Sequence, residues 1–247
     1  MTLSILLIAT FVTAFISGVF GMAGGLLLMG VLALILPVSA AMVVHGLIQS
    51  VSNGWRAILL ARWIAWRILA IYLIGSASAG LLLAFLTFQI ETAWLFIVLG
   101  LTPGIIWIPK SWLHLDAEKP AHAIACGFFV TGLNTAAGVS GPLLDVFFAE
   151  TQRDRRTIVA TKAATQVISH IVKIGYYLLP ALAAAAMPQP QWLLLALPLS
   201  ILGTTLGARL LERMSDIQFR SWTKWIVSTI GLVYIGRGIL LLLGGLQ

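Results

Sequence analysis

Two stretches of the chain carry polar residues in the same register: His45-x3-Gln49-x2-Ser52-Asn53-x2-Arg56, and Lys162-x3-Gln166-x2-Ser169-His170-x2-Lys173. Offsets of four, seven, eight and eleven residues fall along one stripe of an α-helix, so each stretch presents its polar groups on a single face. The stripes hold basic or protonatable groups, amides and hydroxyls, and no carboxylate. That is equipment for holding an anion. Cations supply charge, and amides and hydroxyls replace water lost on binding. Gln49, Ser52, Asn53, Gln166, Ser169 and His170 are read as the binding set, with His45, Arg56, Lys162 and Lys173 as charge gates above and below it.

Two small-residue interruptions reinforce this reading: Gly21-Met22-Ala23-Gly24-Gly25 and Gly138-Val139-Ser140-Gly141-Pro142. Glycine permits non-helical backbone, and proline suits the first position of a new helix. A helix starting there exposes backbone N–H groups and the positive end of its dipole, which makes Gly24, Gly25, Ser140 and Gly141 anion-binding candidates. Asp145, just beyond the second interruption, is either a proton carrier or half of an ion pair with Arg or Lys.

Catalytic readings fare worse. Gly138-Val139-Ser140-Gly141 fits the G-x-S-G pattern of an intramembrane serine protease, with His170 as a conceivable base, but it leaves the repeated stripes unexplained. His45, His114, His122 and His170 are scattered without metal-ligand spacing, and the single cysteine, Cys126, precludes a Cys-rich metal site. No metal, cofactor or catalytic residue is expected.

The elements that would position these groups are apolar. Of 247 residues 60% are hydrophobic and 9% charged, against about a quarter charged in a soluble domain. Eight apolar segments are legible: Leu3–Leu36, Ala40–Leu60, Ile64–Phe88, Ala93–Ile108, Ala121–Ala149, Thr157–Leu179, Trp192–Ala208 and Trp225–Leu243. About 20 residues suffice to cross a bilayer. The fold class expected is an all-α polytopic membrane protein, one transmembrane domain over 1–247. The formal charge of +7 sits mostly beside apolar segments, where it marks topology at an anionic leaflet rather than a nucleic-acid surface.

Connections bearing Arg62 and Arg67, Lys110 and Lys119, Arg153, Arg155 and Arg156, and Arg213, Arg220 and Lys224 should face the cytoplasm. The fifth segment then enters and returns on one side as a broken, re-entrant hairpin, and the first does so from the opposite side. Each half, about 1–115 and 119–247, becomes one hairpin plus three spans, with the second half upside down: an inverted repeat. Both termini fall on the non-cytoplasmic side. Inversion sets His45 near the level of Lys173 and Arg56 near that of Lys162.

An early glycine-rich interruption followed by a proline, repeated in the second half of a chain of this size, resembles the TauE/SafE sulfite exporter family along nearly the whole sequence. The resemblance implies a prokaryotic-type inner-membrane carrier of sulfite, an organosulfonate or a related small anion, working by alternating access. A channel of the same architecture is the alternative. The partners expected are that anion and the bilayer, and the chain is compatible with a homodimer.

Overall fold

The computed structural model describes residues 2–20, 22–86, 90–108, 114–211, 213 and 216–244, apart from the side chains of 2–3, 22 and 216–221. Within them the chain is helical: α1 (Thr2–Phe20), α2 (Met22–Ile35), α3 (Val38–Leu59), α4 (Trp66–Ala84), α5 (Thr92–Leu101), α6 (Pro120–Ala137), α7 (Gly141–Phe147), α8 (Arg155–Ala183), α9 (Pro190–Leu211) and α10 (Asp216–Gly244). Short 3-10 turns follow α3 at Ala61–Trp63 and α5 at Thr102–Trp107.

Two kinds of helix build the fold. Trp66–Ala84, Pro190–Leu211 and Trp222–Gly244 are long and apolar enough to cross a bilayer. They expose large apolar side chains, among them Leu73, Ile74 and Leu81 on α4, Leu194 and Leu202 on α9, and Leu232, Val233 and Leu240 on α10. Surfaces of that kind are stable against lipid, not water. The chain is a multi-pass membrane protein. Helices α3 and α8 are different. They pack along each other in the interior and bury their polar stripes, including His45, Gln49, Ser52 and Asn53 on one and Ser169, His170 and Lys173 on the other.

Around this pair the remaining helices dock in matched fashion. Helix α1 lies along α9 and α6 along α4; α9 flanks α3 and α4 flanks α8; α5 packs on α10. The α4–α6 crossing is close enough that a Cβ built at Gly75 would overlap the carbonyl of Ile124, and one at Gly127 the carbonyl of Tyr72. Lipid offers no hydrophobic drive between helices, so such backbone-to-backbone packing supplies the van der Waals contact that holds the bundle.

The second interruption forms as its residues dictate. Helix α6 ends at Gly138, whose φ of 83° is the left-handed conformation glycine adopts without steric cost, and its N–H closes on the carbonyl of Asn134 at 2.9 Å. After Val139 and Ser140 the chain restarts as α7 with Pro142 in its first turn. In the first segment α1 runs to Phe20 and α2 starts at Met22, and Gly21 of the expected interruption lies outside the described residues. Helix α5 stops at Leu101, short of the span expected to Ile108. Pro103 has no N–H with which to continue the ladder, and the Thr102 hydroxyl instead takes the carbonyl of Leu99 at 2.8 Å.

Asp154 caps α8, accepting from the backbone N–H groups of Arg156 and Thr157 at 2.9 and 3.1 Å and from the Thr157 hydroxyl. The Thr157 hydroxyl chiefly, and then the two N–H groups, hold its carboxyl below the usual aspartate range. The cap is therefore at full strength above the ordinary carboxylate pKa and weakens as pH falls through the depressed one.

Gly127→Val should force α4 and α6 apart. Overpacking of about 1–3 kcal/mol predicts a melting temperature lower by about 2–12 °C in detergent. An unchanged melting curve would show that the close crossing is not what holds these helices.

Candidate anion site

A buried chain of hydrogen bonds joins the two interruptions. His45 Nε2 is 3.0 Å from the carbonyl of Gly25 in α2, and its Nδ1 is 2.8 Å from Lys173 Nζ. Lys173 Nζ donates in turn to the carbonyl of Gly138, also at 2.8 Å. A carbonyl accepts only and an ammonium donates only, so the His45 ring carries its proton on Nε2 and presents a lone pair at Nδ1. Lys173 is fully buried, at 0% exposure, and its charge is answered by these acceptors and by the C-terminal dipole of α6.

Arg56 stands in the corresponding place on α3, where its Nη2 donates to the carbonyl of Ser17 in the last turn of α1, at 3.0 Å. Both cations thus bind carbonyls where the first helix of an interrupted pair ends. The serines also find parallel partners. Ser52 shares a 2.6 Å hydrogen bond with Thr204 of α9, and Ser169 one of 2.5 Å with Tyr72 of α4.

Between the stripes lies a cavity of about 320 Å3. Helix α3 contributes His45, Gln49, Asn53 and Arg56 to it; α8 contributes Lys162, Gln166, Ser169 and His170. Gly25 enters from the first interrupted pair, and Ser140, Gly141 and Asp145 from the second. Of the residues named from sequence as site candidates, Gly24, Ser52 and Lys173 are not among its lining residues. Gly24 packs against Thr13 and Ser17 of α1, Ser52 is turned to Thr204, and Lys173 braces the wall from behind.

Lys162 is paired with Asp145, the one carboxylate among the described lining residues, and both side chains keep solvent access at 27% and 36% exposure. His170 sits edge-on to His45, ring centroids 5.5 Å apart, with its Nδ1 3.2 Å from Asn134 Nδ2. Ser140 Oγ has no hydrogen bond to His170, so a serine–histidine dyad is not formed.

Asn134 was missed in the sequence. It is buried, lines the cavity, and leaves its Oδ1 without a partner among the described residues. Its signal was present: an amide inside an apolar segment, one helical turn before Gly138.

A family model described as Sulfite exporter TauE/SafE matches residues 6–234. The chain belongs to that family. A match over so much of the chain takes in both interruptions, both stripes and all but the last part of α10. The TauE/SafE family is one of membrane transporters, so the protein is a transporter and not an enzyme. Comparison with curated proteins and with solved structures returned no match.

Lys173→Met keeps the unbranched stem but removes the terminal donor, leaving two buried acceptors unmet. The expected cost is about 1–3 kcal/mol, or a melting temperature lower by about 2–12 °C. Melting identical to the parent protein would mean that the bridge between the interruptions carries no stability.

Proposed function

We propose that the protein is an alternating-access carrier that exports a small sulfur-containing oxyanion, sulfite or an organosulfonate, across a bacterial cytoplasmic membrane. The observation that carries this is the convergence of both stripes on one cavity whose lining includes the amides of Gln49 and Gln166, the cations Arg56 and Lys162, and, among the described lining residues, a single carboxylate at Asp145. Family membership supports the substrate class. A tetrahedral or pyramidal oxyanion needs several donors at once, and Gln49, Asn53, Gln166, Ser169 and His170 supply them, with Gly25, Ser140 and Gly141 lining the approach.

The transport domain is two halves of opposite orientation, each one re-entrant interrupted pair and three spans, with both termini outside the cytoplasm. Exchanging α1 for α6, α3 for α8 and α4 for α9 turns one set of packings into the other. The same exchange relates Ser52–Thr204 to Ser169–Tyr72, and Arg56 at the end of α1 to Lys173 at the end of α6. Rocking one half against the other would open the cavity to each side in turn.

Asp145 sets how firmly the anion is held. An arriving anion competes with its carboxylate for the Lys162 ammonium, and the carboxylate takes the ammonium back on release. Binding stays modest, as turnover requires. With the interior negative, export is driven by about 2.3 kcal/mol per charge per 100 mV, so no coupled ion is needed. Proton coupling through Asp145 is the second reading, favoured by its position on the cavity wall.

Counterflow in proteoliposomes tests the carrier. Vesicles preloaded with unlabelled sulfite should accumulate labelled sulfite transiently, whereas a channel gives no acceleration from the trans side. Asp145→Asn should leave Lys162 unopposed, tighten sulfite binding several-fold and slow exchange, with its pH dependence unchanged. Loss of a pH dependence in that variant would instead assign Asp145 to proton coupling.

A further inference from the structure

Away from the central cavity lies a second one of about 280 Å3, formed where the α3–α4 connection meets the start of α8 and the loop before α6. Arg62, Trp63, Trp66, Arg67, Glu118 and Arg153 line it. The connection is pinned in place by the backbone N–H of Ala65, which donates to the Thr161 hydroxyl of α8 at 2.9 Å. The pocket is thus part of the helical framework.

Its charges are unbalanced. Glu118 is taken by Arg153, with Nε–Oε1 and Nη2–Oε2 separations of 2.5 and 3.2 Å, and the neighbouring Asp154 is spent capping α8. That fork raises the pKa of the Arg153 guanidinium, Glu118 being its main partner. Arg62 and Arg67 have no carboxylate partner among the described residues. The guanidiniums of Arg62 and Arg156 each stand 5.5 Å from the ring of Trp63. Stacking on an indole fixes the plane of a guanidinium and leaves its N–H fork free for an oxyanion.

The surroundings decide which oxyanion. The pocket sits where α3 gives way to α4; Trp66 at the start of α4 lines it and is exposed, and Ile58 and Leu59 in the last turn of α3, just before Arg62 in sequence, are exposed apolar side chains. In a bilayer this is headgroup depth, where tryptophan is favoured and acyl chains run alongside. A free phosphate would meet the arginines alone. A lipid meets both surfaces.

We infer that the pocket of Arg62, Arg67, Trp63 and Trp66 is a binding site for an anionic phospholipid, its phosphodiester on the two arginines and its acyl chains along Ile58 and Leu59. The arginine-rich connections put the site in the cytoplasmic leaflet. Because the site joins the α3–α4 connection to α8, an occupied pocket ties the two stripe-bearing helices together at one end.

The test is thermal unfolding of the full chain in a neutral detergent, titrated with phosphatidylglycerol, phosphatidylcholine or inorganic phosphate. Phosphatidylglycerol should raise the melting temperature saturably, and the other two should not. Arg62→Gln with Arg67→Gln should move the half-saturating lipid concentration upward by about fivefold per guanidinium removed. Arg62→Lys with Arg67→Lys, which keeps the charge, should retain most of the response and separate lost binding from lost fold. Arg209→Gln, an exposed arginine at the end of α9, should respond like the parent. An equal shift with phosphatidylcholine or with phosphate, or a full response in the double Gln variant, overturns the proposal.

Discussion

A cation inside a bilayer must be met by acceptors, because lipid provides none. Lys173 finds the carbonyl of Gly138 and the ring of His45, and through that ring the carbonyl of Gly25. An unbroken helix has no carbonyl to spare at its middle, since each accepts from the residue four ahead. The interruptions therefore do two things together: they end helices in the interior of the bundle, and they supply the acceptors that make buried charge tolerable. Arg56 obeys the same rule at the end of α1. The cations in turn settle helix ends that would otherwise be orphaned.

This division of labour explains why the stripes are longer than a binding site needs. Lys173 and Arg56 are committed to backbone carbonyls, Lys173 behind the cavity wall and Arg56 on it. Gln49, Gln166, Asn53 and His170 face the cavity without being used up by helix ends. The only carboxylate among the described lining residues is set against Lys162, whose side chain is 27% exposed.

Much of this was legible in the residues. The antiparallel pairing expected of the two stripes set His45 near the level of Lys173, and a 2.8 Å contact joins them. Gly138 and Pro142 marked a helix end and a restart, which are purely local matters of backbone freedom and a missing N–H. What could not be read were partners set by helix adjacency. Ser52 looked like a ligand because its offset puts it on the polar stripe, yet the neighbour across that edge is Thr204 of α9, over a hundred and fifty positions away. Tyr72 of α4 likewise bonds Ser169, which, unlike Ser52, still lines the cavity. Asn134 escaped because a lone amide has no periodicity to announce it. The early end of α5 was signalled by Pro103 and overridden by the apolar run around it.

The account rests on α3 and α8 forming one pocket for negative charge between them, with Gln49 and Gln166 as ligands from opposite sides. Equilibrium binding of radiolabelled sulfite to the purified protein examines this without the complications of flux. Saturable binding of one anion per chain is expected, weakened by more than about 100-fold in Gln49→Ala/Gln166→Ala, since two hydrogen bonds to a charged group at about 1.5–3 kcal/mol each are lost. A double variant that binds sulfite as tightly as the parent protein would contradict it.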